Sequence, residues 1–337
     1  MEPVISVLMA VYNAEKYVAA AIESILNQSF KNFEFIILDD ASTDSSKKII
    51  CGYQDERVRF IENKYNIGLT HSLNKGIALC KGRYIARMDA DDISTPERLE
   101  KQVAFMETHP DIGVCGTWVY YLREDGKRNL WKYPEEDRTI RTELLLYNRL
   151  AHPSVILRRS IVINHQLHYN PEFYTSQDYD LWVRMSCYCK LANLSEPLVR
   201  YRHHNQSISH TKQRLQRRNT NQIRLYQLIK MGIQPSWRQW KLHLELIDQR
   251  PLRSVNALKE TLKWLITLKK ANQLTNVYTS ENLHDFLTRQ WHWSIHNTTT
   301  YNLKLLYLCL ISPFPYVSSL SKSQLLRFLL ACIEGAR

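Results

Sequence analysis

Short apolar runs alternate with amphipathic stretches through the first hundred residues of the chain. The first run, residues 4–11, is β-branched and uninterrupted, which is typical of a buried parallel strand. The next stretch, through about Gln28, repeats its apolar residues at helical spacing, and Asn13 is expected to cap that helix. Further strands, each followed by a helical segment, are predicted at 33–38, 58–62 and 83–88. This alternation predicts an α/β fold with a Rossmann-like, mostly parallel sheet flanked by helices.

The pattern changes beyond residue 112 and again beyond residue 210. Strands are predicted at 112–122 and 152–160, and a helix at 176–188. From 211 onward the chain is basic and helical in period, so we predict a domain over 1–210 and a mainly helical C-terminal region over 211–337. Helices are predicted there at about 211–231, 235–248, 252–272, 281–296 and 322–333. The Trp residues of this region are expected to form its core, with a sugar-stacking platform as the alternative.

One apolar segment of that region, residues 301–320, is the best candidate for a membrane-spanning helix. Lys304, Pro313 and Pro315 interrupt it, and its unbroken apolar part is far shorter than the roughly 20 residues that a spanning helix requires. We therefore predict an amphipathic or buried segment.

Acidic residues follow two of the predicted strands. Asp39 and Asp40 end the second strand, and Asp89, Asp91 and Asp92 follow the fourth. Because ligands of parallel α/β sheets bind outside the carboxyl ends of the strands, these clusters predict a binding site. The alternatives are that Asp39 and Asp40 cap the next helix and that the second cluster is a solvated turn.

Composition and cysteine content indicate the class of protein and the cellular compartment. Hydrophobic residues make up 44% and charged residues 23% of the 337, so a packed core is expected. The seven cysteines include no CxxC pair, which argues against a zinc ribbon and favours a reducing compartment. The N-terminus is predicted to be a strand rather than a signal peptide. We expect a cytoplasmic location, with peripheral attachment to the inner face of the cell membrane as an option.

The net charge of +12 is confined to the C-terminal third. Residues 1–210 hold 26 Lys and Arg against 27 Asp and Glu, whereas residues 211–337 hold 19 against 6. Such a segment attracts phosphates, and an anionic membrane surface and an ordinary solvated face are the two alternatives for it. No motif of a nucleic-acid-binding family is present, so no nucleic-acid partner is expected.

The acidic cluster after the fourth strand is suited to metal-dependent reactions of phosphate compounds. Asp89 and Asp91 lie two residues apart on an extended segment, so both carboxylates point to the same side and can hold Mn²⁺ or Mg²⁺. Transfer to a hydroxyl also needs a base, for which Asp178 at the start of a predicted helix is the candidate. One alternative is that Asp178 only stabilises the helix by its interaction with the positive end of the helix dipole, and the other is that Asp180 is the base.

Seven segments in order resemble glycosyltransferase family 2, which has the GT-A fold. They cover roughly residues 3–210 and comprise SVLMAVYNAEKYVAAAIESILNQ, FEFIILDDASTDSS, NKYNIGLTHSLNKGI, GRYIARMDADDISTPERLEKQ, HPSVILRRS, QDYDLWVR and YRHHNQSIS. The resemblance implies an inverting, metal-dependent hexosyltransferase that uses a nucleotide diphosphate sugar, typically a UDP-sugar. It implies a glycan or lipid-linked acceptor and a role in surface polysaccharide or lipooligosaccharide biosynthesis.

The same resemblance assigns roles to individual residues. It implies that Asp40 bonds the nucleotide base with support from Asp39, that Asp89 contacts the ribose or donor sugar, that Asp91 binds the metal and that Asp178 is the catalytic base. The remaining donor-binding residues that it implies are Ala10, Val11, Tyr12, Asn13, Glu15, Asn66, Gly68 and Asn74.

Three histidines and one substitution complete the predicted site. His204 is implied as a metal or diphosphate ligand, although it and His203 could be surface residues. His152 is either structural or faces the acceptor. The family often has Glu before the catalytic base, whereas this chain has Gln177, which changes the charge beside Asp178.

Two other functions fit parts of the sequence. A metal-dependent nucleotidyltransferase would use a similar scaffold, but it would normally have a glycine-rich loop after the first strand, and residues 9–17 contain no glycine. A non-catalytic protein that binds nucleic acid or phosphate through the basic C-terminal third is the other alternative.

Overall fold

The computed structural model describes residues 2–123, 126–202, 212–248, 252 and 254–335. The chain forms two compact units, one of Met1–Leu144 with Asn148–Ile223 and one of Leu145–Tyr147 with Arg224–Arg337. The division follows Ile223 rather than residue 210. The reason is that Ile223 belongs to the apolar core of the first unit, and Asn219 donates a hydrogen bond to the Thr175 hydroxyl at 2.9 Å.

The first unit is an α/β structure. Its strands are β1 (Ile5–Val11), β2 (Phe33–Asp39), β3 (Val58–Glu62), β4 (Tyr84–Asp89), β5 (Ile93–Ser94), β6 (Ile112–Leu122), β7 (Arg128–Trp131), β8 (Ile156–Arg158) and β9 (Lys190–Arg202). Its helices are α1 (Val18–Leu26), α2 (Ser46–Cys51), α3 (Leu69–Leu79), α4 (Arg98–Thr108), α5 (Asp137–Glu143), α6 (Arg159–Asn164) and α7 (Gln177–Met185), followed by the start of α8 (Gln213–Lys230).

The strands form one mixed sheet in the order β3-β2-β1-β4-β8-β6-β9-β5, with β7 paired to β6. The predicted α/β class is confirmed, and β3, β2, β1 and β4 are parallel as expected. The other half is not mainly parallel. Strand β8 is antiparallel to β4 and β6. Strand β7 is antiparallel to β6 because the short connection between Leu122 and Arg128 forms a hairpin. Among the described strands of that half, only β6 and β9 pair in parallel.

Both faces of the parallel half are covered. Along β1, Val7 and Met9 enter one apolar core while Leu8 and Ala10 enter the other. This alternation follows from the period of two in a strand, and it explains why the whole of β1 is buried and reads as an unbroken apolar run.

Two predicted elements differ in detail. Helix α1 begins at Val18, and Asn13 does not cap it because Asn13 has a positive φ of 49° and bonds the loop after β2. The predicted strand at 152–160 is instead a 3-10 turn (His152–Ser154), strand β8 and the start of α6. Pro153 accounts for the turn because proline favours the first turn of a helix and lacks the N–H that a ladder requires.

The second unit is helical, with α9 (Trp237–Asp248), α10 (Val255–Thr275), α11 (Ser280–His296), α12 (Leu303–Ile311) and α13 (Lys322–Glu334). Trp264 and Trp291 are fully buried in its core, so these two have the core role expected of the Trp residues. None of the described helices combines the length and apolar character needed to cross a bilayer.

Candidate functional site

The parallel register brings the two acidic clusters to one edge of the sheet. Strand β1 lies between β2 and β4, with Val11 opposite Asp39 and Ala10 opposite Asp89. The carboxyl ends of these strands therefore open into a common cavity, as the position of the aspartates predicts.

The first cavity, here called the donor cavity, has a volume of about 400 Å³. It contains eight of the predicted donor-binding residues: Ala10, Val11, Tyr12, Asn13, Asp40, Asn66, Gly68 and Asp89. The other residues that line it are Ala14, Tyr17, Leu69, Ala90, Asp91, Tyr174 and Lys212.

Asp40 fixes the loop at the floor of the donor cavity. Its buried carboxylate accepts hydrogen bonds from the Ile67 N–H at 3.0 Å, the Gly68 N–H at 2.8 Å and the Asn63 amide at 2.8 Å. Gly68 has a φ of 86°, a conformation that favours glycine, and it leads into α3. Asp40 thus holds this loop against the end of β1.

Three predicted residues support the cavity without lining it in the described part of the chain. Asp39 accepts the Ser42 N–H at 3.1 Å, Glu15 accepts the Ser45 N–H at 2.9 Å, and Asn74 exchanges two hydrogen bonds with the Tyr169 backbone. Asp39 therefore closes a turn at Ser42 and does not cap α2, whose N-cap residue is Ser45. Glu15 connects the loop after β1 to the loop after β2.

Three carboxylates lie close together, and two of them, Asp89 and Asp91, line the donor cavity. One oxygen from each of Asp89, Asp91 and Asp92 lies within 4.8 Å of the others. Asp92 is buried, its Oδ1 accepts the Arg202 N–H at 2.7 Å, and its Oδ2 has no partner among the described residues. Burial raises the pKa of Asp89 and raises that of Asp92 well above its usual value. Clustered oxygen ligands with an unsatisfied buried atom fit a hard divalent cation.

Two arginines brace this cluster, and the sequence analysis did not select either. Buried Arg87 donates Nη2 to the Asp89 carboxylate, and Arg202 donates Nε to the Asp91 carbonyl at 2.8 Å. The Arg202 guanidinium also lies over the Tyr17 ring, 4.8 Å from its centroid. The sequence signal that could have identified Arg87 is its position as a charged residue within the otherwise apolar run of β4.

The predicted metal or diphosphate ligand His204 lies outside the described residues, together with His203. Its role therefore stays a prediction.

A second cavity, here called the acceptor cavity, adjoins the first and has a volume of about 500 Å³. Leu69, Asp89, Asp91 and Tyr174 line both cavities. The other lining residues are Tyr121, Trp131, Tyr133, Asn148, Leu150, Ala151, His152, Pro153, Thr175, Gln177, Asp178, Tyr201, Gln213 and Gln216.

Asp178 lies in the first turn of α7 and lines the acceptor cavity. Its Oδ2 accepts a hydrogen bond from the Asn148 amide at 2.7 Å, and burial raises its pKa to about 6. Asp180, the alternative base, pairs with Arg184 at 2.7 Å and does not line either cavity in the described residues. The geometry therefore favours Asp178 over Asp180 as the group that meets a substrate.

His152 and Gln177 flank Asp178 in the acceptor cavity. His152 shares a hydrogen bond with the Tyr169 hydroxyl at 2.9 Å, and burial lowers its pKa well below the usual value, so it is neutral at pH 7. It packs against Trp182 and also lines the cavity, which is compatible with either of the two alternatives considered for it. Gln177 is only 5% exposed, and its side-chain oxygen has no partner among the described residues.

An aromatic wall, formed by Tyr121, Trp131, Tyr133 and Tyr201, lines the acceptor cavity. Tyr121 and Trp131 stack across the β6–β7 hairpin with centroids 4.5 Å apart. The sequence analysis missed this wall because its members are spread over 80 residues. The alternation in WVYYL, which sends alternate residues to one side, was the only local signal.

Comparison with known proteins places these features in context. The family model for glycosyl transferase family 2 matches residues 6–165. A protein of Haemophilus influenzae named as an uncharacterized glycosyltransferase is 34% identical over 246 residues, covering 68% of this chain and 76% of the relative.

Two further relatives come from Escherichia coli. The O-antigen biosynthesis glycosyltransferase WbnJ is 38% identical over 212 residues, covering 60% of this chain and 81% of its own. The UDP-Glc:alpha-D-GlcNAc-diphosphoundecaprenol beta-1,3-glucosyltransferase WfaP is 33% identical over 210 residues, covering 62% and 80%.

Among solved structures, S. aureus TarS 1–349 in complex with UDP superposes with a TM-score of 0.56 at 16% identity. The match covers 88% of this chain and 89% of that chain. At this identity the match supports the fold alone.

Proposed function

From the premise that the chain belongs to glycosyl transferase family 2 and is a glycosyltransferase, we propose that it transfers a sugar from a UDP-sugar to a glycan or lipid-linked acceptor with inversion. One observation carries this proposal: Asp89 and Asp91 line both the donor cavity and the acceptor cavity. A donor whose nucleotide occupied the first cavity would have its diphosphate and anomeric carbon at the boundary with the second.

The donor cavity has the features that a nucleotide requires. Tyr12, which is half exposed, and Tyr17 offer aromatic faces for a base, and the Asp40 carboxylate at the floor offers an acceptor for a base N–H. A UDP-sugar is proposed because the relative WfaP bears UDP-Glc in its name.

Asp89, Asp91 and Asp92 would hold Mn²⁺ or Mg²⁺ through their carboxylates, and His204 is proposed as a further ligand. A bound divalent cation supplies Lewis-acid stabilisation of the negative charge on a departing diphosphate. The chain's own contribution is to position this cluster: Arg87 donates to the Asp89 carboxylate, and Arg202 donates to the Asp92 carboxylate and to the Asp91 carbonyl.

Asp178 is proposed as the general base of a single displacement. An acceptor hydroxyl in the acceptor cavity gives its proton to an Asp178 oxygen while the hydroxyl oxygen bonds to the anomeric carbon. The bond from that carbon to the diphosphate oxygen breaks in the same step, which leaves UDP and inverts the anomeric centre. A pKa of about 6 suits this role, because the carboxylate is ionised at pH 7 and still basic enough to accept a proton.

The aromatic wall is proposed to bind the acceptor sugar. The exposed Trp131 ring, supported from behind by Tyr121, presents a flat apolar face beside the base. Gln177 and neutral His152 provide hydrogen-bonding atoms for sugar hydroxyls. A role in surface polysaccharide or lipooligosaccharide biosynthesis follows from relatives such as WbnJ, whose name places it in O-antigen biosynthesis.

The experiment is to incubate the chain with a panel of UDP-sugars and Mn²⁺, with and without simple sugar acceptors, and to follow UDP release. We expect release from at least one donor, its loss on chelation and a product of inverted configuration by NMR. Retention of configuration would contradict the single displacement, and no release from any UDP-sugar would contradict the proposed donor.

A further inference from the structure

The last two helices of the second unit present apolar side chains to the outside. Leu303, Tyr307, Leu310 and Ile311 of α12 and Leu326, Leu330 and Ile333 of α13 are each between 47% and 63% exposed. We call these seven residues the apolar C-terminal surface. Single exposed apolar residues are ordinary on proteins, but a concentration of this kind marks a binding surface.

The spacing shows that each set forms one stripe along its helix. On α12 the four residues follow an i, i+4, i+7, i+8 pattern, and on α13 the three follow i, i+4, i+7. The opposite faces are equally apolar, with Leu305, Leu308 and Cys309 of α12 buried in the core of the unit. A helix that is apolar on all sides is typically covered on all sides. Among the described residues of this unit, nothing covers the outer stripe.

The two helices are neighbours, so their stripes belong to one region of the unit's surface. Phe328 of α13 makes an edge-to-face contact with Tyr301, which directly precedes α12, at 6.3 Å, and another with Tyr316 at 5.3 Å. Both contacts lie on the core side of the helices, opposite the stripes.

The charged residues beside the stripes indicate the chemistry of the partner that covers the apolar C-terminal surface. Lys304, Lys322 and Arg327 are exposed on the same two helices, against a single acidic residue, Glu334. Residues 224–337 as a whole hold 15 Lys and Arg against 6 Asp and Glu, a net charge of +9. We propose that the apolar C-terminal surface inserts into the interfacial layer of an anionic lipid bilayer while the basic side chains contact the lipid phosphates.

The dimensions of the helices agree with insertion parallel to the membrane plane. Helices α12 and α13 have 9 and 13 residues, so at about 1.5 Å per residue neither can cross a hydrocarbon core roughly 30 Å thick. Short helices with an apolar face and flanking Lys and Arg bind at the boundary of headgroups and acyl chains.

A second copy of the chain fits this surface less well. In a two-fold symmetric dimer the same patch faces itself, so the lysines and arginine of one copy would approach those of the other. Like charges brought together across an interface oppose association, whereas anionic lipid phosphates would neutralise them.

The test is co-sedimentation of the full chain with vesicles of mixed phosphatidylglycerol and phosphatidylcholine, compared with vesicles of phosphatidylcholine alone. We expect binding to the anionic vesicles that weakens as salt is raised. The double variant Leu310→Glu with Leu330→Glu should lower the partition coefficient by at least about tenfold, because two apolar contacts are replaced by charges that lipid phosphates repel.

The matched control is Leu274→Glu, which adds a charge at a residue that is 87% exposed in the same unit but lies outside this surface. It should bind vesicles as the native chain does. Because every substituted side chain points outward, all variants should keep the native circular dichroism spectrum, and UDP binding should be unchanged. This last readout separates failure of the membrane proposal from failure of the proposed function.

Three results would overturn the proposal. One is a native chain that stays in the supernatant with anionic vesicles. Another is equal vesicle binding by the native chain and the double variant. The third is a native dimer, measured by light scattering, that the double variant converts to a monomer without any lipid dependence, which would assign the surface to a second copy. Because the first result concerns the native chain alone, the test does not depend on the folding of any variant.

Discussion

The two halves of the sheet build their cavities in different ways. In the parallel half, β1, β2 and β4 end side by side, and most of the donor cavity comes from the residues that directly follow those strands. In the mixed half, the acceptor cavity is assembled from the β6–β7 hairpin, the turn at His152–Ser154, helix α7 and residues of α8. The donor cavity is thus built from local segments of the chain, and the acceptor cavity from distant ones.

The polar groups of the two halves differ as well. Asp40 accepts three hydrogen bonds from its surroundings, and such a carboxylate is preorganised before any ligand arrives. Asp178 has the Asn148 amide as a side-chain donor and a pKa raised to about 6, and the neighbouring Gln177 oxygen has no partner among the described residues. The carboxylate of the donor cavity is therefore engaged by three donors, whereas the acceptor cavity contains polar atoms with fewer partners among the described residues.

The substitution Asp178→Asn should give the largest difference between the functions of the two halves. Transfer should fall about 10²- to 10⁴-fold because the base is lost, while UDP affinity should stay within about twofold of native since Asp178 does not line the donor cavity. Steady-state transfer rates and calorimetric UDP titration measure the two effects.

The matched control for that variant is Asp180→Asn, which removes a carboxylate two residues away. It should lower the melting temperature because Arg184 loses its partner, but it should retain transfer within a few fold. Normal transfer by Asp178→Asn together with strong loss in Asp180→Asn would reverse the assignment of the base.

Asp40→Asn tests the donor half. The Ile67 and Gly68 N–H groups donate to different oxygens of Asp40, so the new amide N–H₂ would face one of them in either orientation. The loop at Ile67 and Gly68 should therefore loosen, and UDP affinity should fall about 10- to 100-fold. Calorimetry measures the affinity. Glu62→Gln, at the exposed end of β3, is the control and should bind as native does. Native affinity in Asp40→Asn would show that this carboxylate does not support the donor site.

The dependence of the transfer rate on pH tests the acceptor half in the native chain, with the aromatic wall intact. Since burial raises the pKa of Asp178 to about 6, the carboxylate is ionised above that pH and progressively protonated below it. The transfer rate at saturating donor should therefore fall about tenfold from pH 8 to pH 5. UDP titration at both pH values corrects for weaker donor binding. The residual activity of Asp178→Asn should lack this acid limb, and an identical limb in that variant would assign it to another group.

Trp131→Ala gives the smallest expected effect. Loss of the stacking face should raise the acceptor KM about fivefold and leave the donor KM unchanged, because Trp131 lines only the acceptor cavity among the two described here. Leu130→Ala, at the preceding exposed position of the same strand, should change neither constant. A rise in donor KM alone would contradict the division between the cavities.

The parallel half of the fold was predictable because its signals are local. Each strand is a segment of five to seven mostly apolar residues, and the acidic clusters stand at the ends of β2 and β4, so the sequence pattern alone places Asp40 and Asp89 at one edge of the sheet. Four helices of the second unit, α9, α10, α11 and α13, were predicted to within a few residues from their helical periodicity, whereas α12 (Leu303–Ile311) lies in a segment predicted only to be amphipathic or buried.

The mixed half was less predictable because its geometry depends on tertiary contacts. The aromatic wall joins Tyr121, Trp131, Tyr133 and Tyr201 through strand pairing, and no spacing in the sequence encodes that pairing. Arg202 braces Asp92 from 110 residues away, and Asn148 reaches Asp178 across 30 residues. The resemblance to a family located Asp178, but its partner could be found only in the folded chain.

The measurement that tests the central claim most directly is calorimetric titration of UDP into the native chain, Asp91→Ala and Asp178→Asn, each with and without Mn²⁺. The account predicts metal-dependent binding by the native chain, loss of that binding in Asp91→Ala and native affinity in Asp178→Asn. Binding that needs no metal and survives in Asp91→Ala would contradict the role of the aspartates between the two cavities. Loss of binding in Asp178→Asn equal to that in Asp91→Ala would contradict the separation of donor binding from catalysis.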